Sequence, residues 1–133
     1  ASSSTFKRLP KSLEKYPSEY AYLFSQLDKF QSEPSENFAD YYLIPHIVRR
    51  VVEGYVGMRV PNISSLKKKV DYLIEESSQK TQVYKYINEY SHQNQPQRNK
   101  RHPDLSETKK IVEVVVNSLK EKDQEHCEAL LHL

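Results

Sequence analysis

Arg49 and Glu53 stand four residues apart in the run Ile44-Pro45-His46-Ile47-Val48-Arg49-Arg50-Val51-Val52-Glu53, and His92 closes the run Tyr86-Ile87-Asn88-Glu89-Tyr90-Ser91-His92. Residues four apart on a helix share a face, so Arg49 and Glu53 can act on one point in space, and the fold need only deliver His92 to it. A guanidinium, a carboxylate and an imidazole can cleave RNA without a metal. That reaction needs a base to take the proton of the 2′-hydroxyl, donors for the charge that builds on the phosphate oxygens, and an acid for the leaving oxygen. His92, with an ordinary pKa of about 6.5, suits either proton transfer. Arg49 suits the phosphate, and Glu53 can act as base or orient its neighbours. The same residues also have a plain structural use. Arg49 and Glu53 can form an intrahelical ion pair worth a few tenths of a kcal/mol, and His92 can face the negative end of a helix dipole.

The elements that must position these groups read as helices. Residues 1–17 look irregular, punctuated by Pro10 and Pro17, and the helical domain is expected over residues 18–133. Ser18 can cap a helix to about Gln31, with Tyr20, Leu23, Phe24 and Leu27 on one side. Ser35 can cap a long second helix to about Met58, in which Phe38, Tyr41, Tyr42, Val48, Val52 and Tyr55 recur at helical spacing and Pro45 kinks the helix or starts its second half. A third helix is expected over about 64–77 and a fourth over about 79–92. Gln93 to Pro103 contains two prolines and no large apolar residue, so it reads as an exposed loop. Asp104 or Ser106 opens a fifth helix with Ile111, Val112, Val115, Val116 and Leu119 as its apolar stripe, and a short last helix covers about 123–132. The fold class is therefore all-α, a single-domain bundle of five or six helices. Its core should hold Phe38, Val48, Val52, Leu66, Leu73, Ile87, Ile111 and Val115.

Composition supports that class and excludes others. A chain of 133 residues is about one domain, with 2 Gly, no Trp and 29% charged residues. It lacks the turn signals of an all-β or nucleotide-binding α/β protein. No Gly-rich phosphate loop is present, so this chain alone should not hydrolyse ATP. The single Cys127 rules out an internal disulfide and a multi-thiolate zinc site, and no apolar run approaches the roughly 20 residues of a membrane span. A cytoplasmic protein with neither metal nor cofactor and no membrane partner is expected.

The formal charge of +2 does not by itself point to nucleic acid, because that needs basic residues gathered on one face. Arg98, Lys100 and Arg101, within Gln97 to His102, can follow an RNA backbone through phosphate contacts, as can Lys67-Lys68-Lys69. Such runs are more often solvated surface. Tyr86 and Tyr90 share a helix face and can stack unpaired bases, although core packing with a wet hydroxyl is the commoner use. His126 and Cys127 are adjacent, unlike metal ligands, with no second cluster.

Three segments, Ser18 to Phe24, Ile44 to Glu53 and Tyr86 to His92, resemble the C-terminal region of bacterial AAA/ABC-type ATPases related to the anticodon nucleases RloC and PrrC. In such proteins an ATPase head precedes a helical module similar to HEPN domains. The resemblance implies that Arg49, Glu53 and His92 form the nuclease group, matched by order and by the Arg-to-Glu spacing. It also implies RNA, tRNA anticodon loops above all, as substrate, an ATPase domain outside this chain as partner, and a homodimer whose two copies line one cleft. One departure concerns the usual HEPN motif, which places an Arg with four to six residues between it and the His. Positions 85 to 87 here are Lys, Tyr and Ile. Lys85 keeps the charge without the planar donor fork, and Asn88, one turn before His92, offers a polar contact. Two functions from different classes follow: a ribonuclease effector of a defence ATPase, or a helical module that oligomerises or relays the ATPase state without chemistry of its own.

Overall fold

The computed structural model describes residues 16–35, 37, 39–91 and 103–132, the first three of them by their backbone alone. These form six helices: α1 (Tyr16–Ser32), α2 (Asp40–Arg59), α3 (Leu66–Leu73), α4 (Ser77–Tyr90), α5 (Leu105–Lys122) and α6 (Gln124–Leu131). No strand occurs among the described residues. The all-α bundle expected from the sequence is the fold observed. α2 is its centre, packing on α1, α3, α4 and α5, while α1 also touches α5 and α6 and α4 touches α5.

The helix boundaries differ from expectation for local reasons. α1 starts at Tyr16 rather than Ser18, with Pro17 in its first turn, where a missing N–H costs nothing. Tyr16 and Pro17, assigned to an irregular lead-in over residues 1–17, are therefore helical, and residues 1–15 lie outside the described residues. Ser35 does not cap α2. Its hydroxyl donates to Asp40 Oδ2 at 2.5 Å and accepts from the Asn37 N–H at 3.0 Å, and its carbonyl accepts from the Tyr41 hydroxyl. A serine with such nearby partners builds a turn instead, and α2 opens five residues later at Asp40. The helix then runs unbroken through the buried Pro45.

α3 ends four residues earlier than expected. Ile74 leaves the helix with φ −105° and ψ 131° while keeping its side chain in the core. Packing here overrides the helical period that Ile74 continues in sequence. Glu76 then caps α4 by accepting the Gln79 N–H at 2.9 Å, which starts that helix at Ser77 rather than about 79. Asp104 caps α5 through the Glu107 N–H at 3.0 Å. Asp123 ends α5 and caps α6, its Oδ1 accepting the His126 N–H at 3.2 Å.

Val48, Val52, Leu73, Ile87, Ile111 and Val115 are buried as expected, together with Val51, Val56, Val70, Ile74 and Val83. Leu66 is only half-buried, packed against the edge of the core at the first turn of α3, and Phe38 lies outside the described residues. Gly54 and Gly57 are both interior to α2. A Cβ at Gly57 would meet nothing within 4 Å. Because a helix-interior glycine is roughly 0.5–1 kcal/mol worse than alanine, Gly57→Ala should stabilise the protein by about that amount. Urea unfolding of the two proteins checks this, and a lower midpoint in the variant would count against it.

Candidate functional site

On the continuous helix α2, the residues His46, Arg49 and Glu53 lie within an arc of about 60°, given 3.6 residues per turn. Arg49 Nε donates to Glu53 Oε2 at 3.3 Å, and Arg49 Nη1 donates to Ser91 Oγ at 3.2 Å. The guanidinium thus bridges one face of α2 to the C-terminal end of α4. Ser91 is itself fixed: its backbone N–H and its hydroxyl both reach the Ile87 carbonyl, at 3.0 and 2.6 Å. It is buried, whereas the Arg49 and Glu53 side chains are 36% and 37% exposed. Water therefore reaches the ion pair, and its contribution to stability is about 0.3–0.5 kcal/mol. Half-buried His46 is held below the ordinary imidazole pKa, first by burial and then by the Arg49 charge.

Of the residues expected at the site, Arg49 and Glu53 are brought together. His92 lies outside the described residues, as do Arg98, Lys100, Arg101 and the rest of Gln93 to His102. Pro103, assigned to an exposed loop, is buried. Lys85 is exposed on α4 and Asn88 half-buried on the same helix. Lys67 and Lys68 are solvated surface, Lys67 standing 3.8 Å from Asp71.

Tyr86 does not offer its face to a base. It is buried, its hydroxyl 3.1 Å from Thr108 Oγ1 rather than wet, and burial raises its pKa far above the usual phenol range. Tyr90 packs edge-on against it at 5.3 Å. Sequence reasoning missed two members of the site. Ser91 had only its place at a helix end to mark it, and His46 only its position three residues before Arg49.

A second polar cluster, also unforeseen, ties α6 to α1 and α2. Asp123 Oδ2 accepts from Arg59 Nη1 at 2.8 Å, His126 Nε2 lies 3.2 Å from the Tyr20 hydroxyl, and the His126 and Tyr55 rings are 5.3 Å apart. Burial holds the His126 pKa down, Asp123 opposing and Arg59 adding to it. Cys127 beside it is buried and its thiol is pushed up to about 11 by burial, so it is a packing residue rather than a nucleophile. Among the described residues, no three His, Cys, Asp or Glu side chains gather as a metal site. Among them, too, no helix is long and apolar enough to cross a membrane.

The two lowered imidazoles make stability depend on pH. Each binds its proton less readily in the folded chain than in the unfolded one, where the pKa is about 6.5. Their contribution is complete above that value and is lost as pH falls from it toward the lower folded pKa. The melting temperature should fall between pH 7.5 and pH 5, and fall less in His126→Gln, which keeps a hydrogen-bonding group toward Tyr20. Thermal melts at both pH values measure the difference, and an equal fall in the two proteins would remove His126 from this account.

A family model described as an AAA domain matches residues 1–120, which include Arg49, Glu53, Lys85, Asn88 and His92. The chain belongs to the AAA domain family. It is thereby related to AAA-type ATPases, in agreement with the coarser part of the resemblance seen in the sequence. No curated protein and no solved structure matches the chain. Within this AAA-family chain the described secondary-structure elements are all helices, and both of its glycines are used inside α2 rather than in a phosphate-binding loop. Membership therefore tells what kind of machine the chain is related to and leaves its chemistry to the side chains.

Proposed function

We propose that this chain is the RNA-cleaving effector region of an AAA-type ATPase, a HEPN-like bundle related to the anticodon nucleases RloC and PrrC that cuts tRNA anticodon loops in bacterial defence. The observation that carries this reading is the double engagement of Arg49. Two of its five N–H donors are taken by Glu53 and Ser91, and three others can meet phosphate oxygens. Ser91 directly precedes His92 in the sequence. Because the Glu53 carboxylate accepts from Arg49, its role is to orient the guanidinium. His92 is left the proton transfer to the leaving oxygen.

Lys85 and Asn88 are supporting polar groups, and Arg98, Lys100 and Arg101 supply phosphate contacts. The active form is a cytoplasmic homodimer, controlled by an ATPase domain that this chain does not contain. No step of the reaction calls for a metal or cofactor.

The test is incubation of the purified protein with total tRNA, with and without chelator. Cleavage that survives chelation and leaves 2′,3′-cyclic phosphate ends is the expected result, since the adjacent 2′-hydroxyl is then the nucleophile. Cleavage that needs magnesium, or no cleavage by the chain joined to its ATPase head, would favour a helical module that oligomerises or relays the ATPase state.

A further inference from the structure

We infer that the groove between α1 and α2 is the dimerisation face of this protein, filled by the same groove of a second copy. The function proposed above includes a homodimer without a contact face; the surface supplies one, independently of any RNA chemistry. α1 and α2 run antiparallel, since Phe30 packs edge-on against Tyr41 at 6.0 Å at one end and Arg50 pairs with Glu19 at 3.1 Å at the other. Between them lies a cleft of about 340 Å³, with Phe30 and Ile44 buried at its floor and Leu43 and Ile47 on its α2 side. Leu43 is 58% exposed, more than any other large apolar side chain among the described residues. A projecting leucine beside an apolar hollow is a knob next to a hole, and two copies can fill each other's hollow across a two-fold axis.

The charges on the groove select that occupant. Lys29 and Glu33 stand one turn apart at the end of α1 and both line the cleft. Both are exposed, and neither side chain enters an ion pair with another described residue. Antiparallel packing of α1 on the α1 of a second copy, about an axis midway between the two positions, sets each Lys29 opposite the other copy's Glu33. One surface thus yields two equal pairs. Tyr22, on the same face of α1 and 43% exposed, extends the apolar contact beyond them. A small polar ligand has less to hold, because Ser35 and Asp40, at the loop end of the cleft, already bond to each other at 2.5 Å.

Leu43 points about a third of a turn around α2 from Arg49, given 3.6 residues per turn. The contact therefore leaves the Arg49–Glu53 pair on the flank of each copy rather than buried between the two. Assembly and the chemistry of that pair become separable properties.

The experiment is sedimentation of the protein over about 1–100 μM, with a circular dichroism spectrum of each variant. Wild type should be a dimer, and Leu43→Glu a monomer with unchanged helical content, because the position is exposed in the single chain. Lys29→Glu and Glu33→Lys should each weaken the dimer at least about tenfold, and the double variant should recover it, since like charges meet in the single changes and opposite ones again in the double. Leu43→Cys should oxidise to a covalent dimer, where wild type, with only the buried Cys127, does not. A wild type that stays monomeric, a dimer that survives Leu43→Glu, or a charge swap that fails to recover would overturn the assignment. So would cross-linking of Leu43→Cys to the ATPase head in the joined protein, which would give the groove to that partner. None of these measurements uses RNA, so their outcome is independent of the ribonuclease function.

Discussion

Arg49→Ala is expected to lower RNA cleavage by at least about 100-fold, the scale of losing a donor aimed at developing charge, while shifting the melting temperature by no more than a few degrees. The split follows from the geometry. Arg49 and Glu53 form a pair open to water, worth about 0.3–0.5 kcal/mol. Removing the guanidinium leaves no buried orphan, because the Ser91 hydroxyl still donates to the Ile87 carbonyl at 2.6 Å. Any catalytic contribution, by contrast, is lost in full. Arg49→Lys should keep the charge and recover little, since an ammonium cannot grip Glu53, Ser91 and a phosphate at once. A single-turnover assay beside thermal melts reads both quantities. An alanine variant that cleaves at the wild-type rate would return Arg49 to a surface ion pair.

Phe24→Ala should be the most damaging of the core changes in α1. Phe24 is fully buried in the shared core, on the helix that packs against α2, α5 and α6 together. Truncating a buried Phe costs about 3–5 kcal/mol through lost burial and the cavity left behind, and domains have only about 5–15 kcal/mol in all. Urea denaturation should show the midpoint collapse with a similar slope. An exposed neighbour, Tyr22→Ala, should move it by less than about 0.5 kcal/mol. A small effect at Phe24 would mean that α1 is not part of the cooperative unit.

The sequence by itself determined the class of fold, because helical spacing of apolar residues in α1, α2 and α5 is a local property that burial only amplifies. It also determined the Arg49–Glu53 pair, since four residues on one helix share a face whatever the rest of the chain does. What it left open depended on contacts between distant residues. The break at Ile74 and the burial of Tyr86 against Thr108 each arise where one element meets another. No spacing within a single helix encodes them.

The site divides in the same way. Arg49 reaching Ser91 joins residues 42 apart in the chain, and it exists because α4 packs on α2 with its C-terminal end level with the middle of that helix. The His46 environment was likewise a tertiary product: the position three before Arg49 is plain in the sequence, but the burial that keeps its ring neutral is set by packing. Local periodicity thus supplied the residues and the helix face, and the crossing of α2 and α4 decided which polar groups meet there. The physical reason is range. Helical phase is fixed by backbone hydrogen bonds four residues long, whereas a side chain's solvation and partners are fixed by whichever surfaces the whole chain brings together.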